Sequence, residues 1–156
     1  MNWRRLNGEI IVEPILEAVE KTILSEKQCN HRLKVCIGTD SQSKGADVDF
    51  ASVIVFQREK KGGFMFIQNS TLKRAMSLRE RMIIEVSRSV EIAYDLYELL
   101  DRYHVDLEVH ADINTDPQFE SNIALKEAMG YIKSMGFAFK MKPDAYASSC
   151  CADKVI

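Results

Sequence analysis

Along residues 9 to 26 the apolar positions Ile15, Leu16, Val19, Ile23 and Leu24 recur at helical spacing, and Pro14 is tolerated in a first turn. The pattern predicts an N-terminal helix. The period then changes. Leu33 to Thr39 is a mostly apolar run rich in strand formers and ends at Asp40, which predicts a buried strand. The Ser, Lys and Gly of residues 41 to 47 read as a connection to a β-branched stretch, Phe50 to Gln57. Lys60-Lys61-Gly62-Gly63 is a turn signal, and Phe64 to Gln68 resumes an apolar run beyond it. Three strands in an antiparallel meander are expected, with Lys60 and Lys61 guarding the exposed edge of the third.

From Ser77 the helical period returns in its longest form, through Met82, Ile83, Val86, Val90, Ala93, Tyr97 and Leu100. Val105, Leu107, Val109 and Ala111 next alternate with Asp106, Glu108 and His110, the signature of a strand running into Asp112; His110 reads as an outward-facing residue on it. Asp116-Pro117 offers a cap followed by proline at a first helical position, and Gly136 a stop, which predicts a helix over about 117 to 135. Phe137, Phe139 and Met141 alternate up to Pro143, and Asp144 is placed to cap a short terminal helix from Ala145.

Strands separated by helical crossovers are normally parallel and right-handed. The order of elements therefore predicts an α/β fold: a mixed five-stranded sheet, three antiparallel strands then two parallel, flanked by helices and preceded by the N-terminal helix. Residues 1–156 are expected to form a single domain, with 1–30 as an N-terminal helical extension. Ligands in such sheets gather at the carboxyl ends of the parallel strands, where Asp40 and Asp112 both fall if the first and fourth strands are neighbours.

Two carboxylates at the ends of neighbouring strands repel one another unless a cation lies between them. Hard oxygen donors suit Mg²⁺ or Mn²⁺, and a pair of such ions about 4 Å apart is a known means of hydrolysing phosphodiesters. Composition narrows the choices without overturning this. With 46% hydrophobic and 28% charged residues the chain is ordinary for a globular protein, and its formal charge of −2 argues against a dedicated duplex binder. No apolar run approaches the length of a membrane span and Trp3-Arg4-Arg5 leads into no signal-peptide core, so a cytoplasmic location is expected. The four cysteines, at 29, 36, 150 and 151, read as reduced thiols, because a zinc site from Cys29, His31 and Cys150 matches no recurring spacing.

The stretches Ile37-Gly38-Thr39-Asp40-Ser41-Gln42, Ser77-Leu78-Arg79-Glu80-Arg81 and Lys142-Pro143-Asp144-Ala145-Tyr146-Ala147-Ser148-Ser149, in this order of elements, resemble the YkuK-like group of predicted nucleases within the ribonuclease H-like superfamily. The resemblance covers residues 33 to 156. It implies a first-strand acid at Asp40, a helix acid at Glu80, a fourth-strand acid at Asp112 and a last-helix acid at Asp153, with Asp144 as the competing fourth ligand.

Each acid has a structural alternative. Asp40 and Asp112 sit in good turn sequences. Ser77-Leu78-Arg79-Glu80 is also a capping box, and Glu85 is a rival to Glu80 on the same helix. Asp144 suits an N-cap, and Asp153 an exposed helical position. Lys142 and Arg79 are candidate phosphate contacts, and Tyr146, Ser148 and Ser149 candidate substrate contacts that equally suit packing. The function expected is metal-dependent hydrolysis of phosphodiester bonds in RNA, RNA–DNA hybrid or structured DNA. The alternative is a non-catalytic module of the same fold that binds nucleic acid or a protein. A phosphotransferase ranks below both, since no glycine-rich phosphate loop is present.

Overall fold

The computed structural model describes residues 1–113 and 125–156, with the backbone alone at 125 and 128. Its order of elements is β1 (Arg4–Arg5), α1 (Ile15–Gln28), β2 (Leu33–Lys44), β3 (Asp47–Arg58), β4 (Gly63–Leu72), α2 (Leu78–Arg102), β5 (Asp106–His110), α3 (Leu125–Ser134) and β6 (Ala138–Lys140). A π-helical segment, Ala147–Ala152, then runs directly into a last helical turn, α4 (Asp153–Val155). The start of the helix expected at 117 lies outside the described residues. Its stop is at Gly136, whose φ of 77° is the left-handed conformation that glycine adopts without strain.

The strands form one mixed sheet in the order β1-β4-β3-β2-β5-β6, with β5 parallel to β2 and β6 parallel to β5. An α/β sheet flanked by helices is what the period changes predict, but it has six strands rather than five, and the chain enters it with a strand rather than a helix. Arg4 and Arg5 pair with Ile67 and Phe66, so β1 covers the edge of β4 that was expected to be guarded by lysines. Two residues are too short to give a periodic signal, which is why the sequence does not announce β1. Helix α1 begins at Ile15, directly after Pro14, and Ile11 before it is held in a backbone hydrogen bond to Trp3.

Alternation along β2 sorts its side chains onto two covered faces. Val35 and Ile37 join Ile54, Phe56, Phe66 and Val109 in the larger core, under α1, α2 and α3. Cys36 joins Val53, Val55 and Ile67 in a smaller core under the terminal segment, with Ala147 and Ala152. Burial on both faces explains why Val35, Cys36 and Ile37 are apolar in succession rather than alternating with polar residues. The terminal segment lies so close to β2 that a Cβ on Gly38 would stand 2.4 Å from the Ser148 backbone nitrogen. Only glycine fits there.

Asp40 does not end its strand. It pairs with Ala51, and the ladder continues to Lys44 opposite Asp47, so residues 41 to 44 are strand and the connection shrinks to Gly45-Ala46. Gly45, at φ 64°, supplies the left-handed turn. By contrast, the parallel pairing of β2 with β5 stops at Gly38 opposite His110. Asp40 thus sits in the corner where the sheet loses a strand on one side only.

Candidate metal centre

Asp40 projects toward the terminal segment, and its carboxyl meets that of Asp153 on α4. The side chain is nearly buried, at 9% exposure. Burial, with the like charge of Asp153 added to it, pushes the Asp40 carboxyl up to about 6, against the pull of Arg81. Asp112 lies two residues past the last β2–β5 pair, as Asp40 does on its own strand, so the two acids stand at the same level of the sheet. Lys142 Nζ is 2.7 Å from Asp112 Oδ1. That approach is poorly angled for a hydrogen bond, and Oδ1 is buried without a well-directed donor among the described residues.

The helix acid that reaches this corner is Glu85, not Glu80. Glu85 lies two turns into α2 and is 3% exposed; it accepts the Ser41 hydroxyl proton, one residue from Asp40. Burial pushes its carboxyl up to about 8, with the charge of Asp40 reinforcing the shift and Ser41 opposing it. Arg81, one turn earlier, completes the arrangement: Nε donates to Ser41 Oγ at 2.9 Å and Nη2 to the Ser41 carbonyl at 2.8 Å. Glu80 is half-exposed and pairs with Arg74 at 2.8 Å. Ser77 does cap the helix, accepting the Glu80 amide at 3.1 Å, but the Glu80 side chain turns to Arg74 and so the reciprocal half of a capping box is not made. Asp144 is exposed on the turn before the terminal segment, its amide bonded to Met141 O at 2.7 Å. Of the candidate phosphate contacts, Arg79 is paired with Glu127 and Lys142 with Asp112.

As they stand, no three of Asp40, Glu85, Asp112 and Asp153 converge to ion-coordinating distance; Glu85 is turned onto Ser41. Even so, the donor set fits a hard divalent cation. It is all carboxylate, two of its members are raised by burial and mutual repulsion, and one buried oxygen of Asp112 has no directed hydrogen-bond donor among the described residues.

A second polar group lies deeper on the same face. Cys36 Sγ, a Glu108 carboxylate oxygen and a His110 ring nitrogen fall within 4.8 Å of one another, close enough to be candidate ligands of one ion. His110, read from the sequence as outward-facing, is 1% exposed beneath the terminal segment. Its Nε2 lies 2.9 Å from Glu108 Oε2, and its Nδ1 accepts the Ala147 amide at 3.1 Å. An acceptor at Nδ1 fixes the ring proton on Nε2. To ligate an ion beside Glu108, His110 would need the reverse, a bare Nε2 and a proton on Nδ1 for an acceptor. Thiol, imidazole and one carboxylate are in any case a poor set for Mg²⁺ or Mn²⁺. The group closes without an ion: Lys34 Nζ lies 3.5 Å from Glu108 Oε1, and Cys36 lies 2.9 Å from the Tyr146 hydroxyl, which donates to Gln57 at 2.5 Å. Burial lowers the His110 imidazole below its ordinary value and raises the Cys36 thiol to about 11.

A family model described as Ribonuclease H-like matches residues 14–156. The chain belongs to the ribonuclease H-like family. It is 28% identical over 161 positions to the "Uncharacterized protein YkuK" of Bacillus subtilis (strain 168), covering 94% of this chain and 91% of that one. Among solved structures it is similar to an RNase H1 from the halophilic archaeon Halobacterium salinarum NRC-1, with a TM-score of 0.45 and 19% identity over 73% of this chain and 89% of that chain.

For a ribonuclease H-like chain, the one sequence signal that distinguishes Glu85 from Glu80 is its register. Glu85 falls on the apolar stripe Met82, Val86, Ser89, Val90 and Ala93, where a carboxylate is costly unless something uses it. Glu80 lies off that stripe. The Cys36–Glu108–His110 group had no comparable signal, because alternation places Glu108 and His110 on one face without saying that another segment covers it.

Proposed function

We propose that this protein is a metal-dependent nuclease that hydrolyses phosphodiester bonds in RNA, RNA–DNA hybrid or structured DNA. The observation that carries the reading is the buried Asp40 carboxyl in the corner of the sheet, with the carboxyl of Asp153 against it and that of Glu85 one residue away through Ser41. Isolated buried carboxylates are unfavourable, and this concentration of them is best explained by a cation that the protein takes up in use. Asp40, Asp112 and Asp153 are the residues proposed to hold Mg²⁺ or Mn²⁺, with Glu85 as the helix acid in place of Glu80. Bound there, the ion supplies an activated water and charge stabilisation for the departing oxygen. Arg81 keeps Ser41 and Glu85 in register beside Asp40. Lys142 neutralises Asp112, while Arg79 and Arg74 are paired with Glu127 and Glu80, so a phosphate backbone would have to draw these cations from their carboxylates.

The test is cleavage of labelled RNA, hybrid and branched DNA with Mg²⁺ or Mn²⁺, comparing the wild type with Asp40→Asn and Asp112→Asn. Metal-dependent cleavage that both variants lose while remaining folded supports the assignment and identifies the substrate class. An inactive wild type on all three substrates, or variants that cleave as well as it does, moves the reading to a binding module of the same fold.

A further inference from the structure

The terminal segment carries Asp153 but begins well away from the acidic corner, and its starting point is fixed by His110. Ala147 is in the first turn of the segment, where an amide has no carbonyl of its own helix to bond. His110 Nδ1 accepts that amide at 3.1 Å from the sheet beneath. The ring cannot rotate away, because Nε2 is tied to Glu108 at 2.9 Å and the ring stands edge-on to Tyr146 with centroids 4.6 Å apart. Between Ala147 and Asp153 the backbone is continuously helical, and Ala147, Ser148 and Ala152 are buried against the sheet. A displacement at its start is therefore carried to Asp153. Asp153 itself is exposed, and the nearest other tether is Asn69 Nδ2, which donates to Val155 O at 2.9 Å.

We propose that His110 is a positioning residue for the acidic site: by gripping the Ala147 amide with Nδ1 it sets the start of the terminal helix and so holds Asp153 against Asp40. The inference rests on the nuclease reading above and deepens it, giving a use to the one fully buried imidazole in the sheet. Glu108 acts through His110 by fixing its tautomer, and Lys34 holds Glu108.

Two substitutions separate the two ends of the ring. His110→Asn keeps an acceptor near the place of Nδ1 and gives up the reach to Glu108; His110→Gln keeps a donor toward Glu108 and leaves Ala147 without an acceptor. The experiment titrates each protein with Mn²⁺ and follows hydrogen exchange of the amides from 147 to 155. His110→Gln is expected to weaken Mn²⁺ binding by about 10- to 100-fold and to speed exchange across the segment, with His110→Asn retaining most of both. Equal losses in the two variants would reduce His110 to packing and overturn the proposal, as would faster exchange with unchanged Mn²⁺ affinity. A wild type that binds no Mn²⁺ sinks the nuclease reading. In that case exchange that accelerates only in the Gln variant leaves the anchor standing and removes its positioning role. Should His110→Gln fail to fold, Glu108→Ala frees the tautomer with the ring in place and is read in the same two ways.

Discussion

Glu80 and Glu85 differ by five positions on α2 and by almost everything else that a carboxylate can experience. Glu80 shares a solvated pair with Arg74, a contact of little energetic weight. Glu85 is enclosed and shares Ser41 with Arg81. Glu85→Gln is therefore expected to reduce metal-dependent cleavage by about 100-fold or more without lowering the melting temperature of the metal-free protein, since a neutral amide replaces a group that burial already disfavours as an anion. Glu80→Gln should leave the rate within about threefold, because its charge is screened. Steady-state rates and thermal scans of the two variants decide it. Another residue contributes to stability rather than chemistry. Glu26 is 10% exposed at its side chain and accepts Arg58 in two hydrogen bonds, at 2.8 and 2.7 Å, with His31 at 2.5 Å. The Arg58 hydrogen bonds hold its carboxyl down at about 2 despite burial, and the one from His31 helps. A carboxyl lowered on folding stabilises at pH values above its unfolded value and ceases to do so as the pH falls through its folded one. The advantage of wild type over Glu26→Gln should thus be about 2 kcal/mol near neutrality, allowing for solvent at Arg58, and should disappear between about pH 4.5 and 2. Urea titrations across that range would measure it; a constant difference would contradict it.

At the level of elements, the closest fit in the molecule is that of β2 against the terminal segment, made at Gly38. Gly38→Ala would force a methyl group into backbone and should cost about 1–3 kcal/mol, with a loss of Mn²⁺ affinity because the helix carrying Asp153 is lifted. Chemical denaturation and metal titration of this one variant test both effects. A variant as stable as wild type, with full affinity, would show that the segment can shift at no cost. The same contact shows what was legible in advance. The long apolar runs and the change of period at Ser77 fix the meander, α2 and the parallel strands, since each reports a face buried over many residues. The continuation of β2 beyond Asp40 was hidden: Ser41 to Lys44 are polar yet paired to β3, and local composition reads as turn wherever the ladder is supplied by a partner strand. Likewise a glycine in a strand announces close approach without naming what approaches.

Across the whole molecule, the acids contributed by β2, α2, the end of β5 and α4 come from four separate elements, and a bound ion would tie them together. Saturation to about 100 times the dissociation constant adds about 2.7 kcal/mol to the folded state, which for a chain of this size is about 5–10 °C in Tm. Mn²⁺ should raise the Tm of wild type by that amount and leave Asp40→Asn unchanged; equal shifts would place the ion elsewhere. The sequence leads one to expect acids at one end of the sheet, because ligands gather at the carboxyl ends of parallel strands. Which helix acid belongs, and the polar group under the terminal segment, depend on packing between elements that no local pattern records. The sheet's outline itself has a consequence for substrates. β2 and β3 overrun β5 from Thr39 to Lys44, so the acidic corner opens beside a ledge about 20 Å long, at roughly 3.4 Å per residue. A polynucleotide lying along that ledge would be contacted over about six nucleotides on that side of the corner. Trimming a substrate from the end that lies along the ledge should therefore weaken recognition once fewer than about six nucleotides remain beyond the corner.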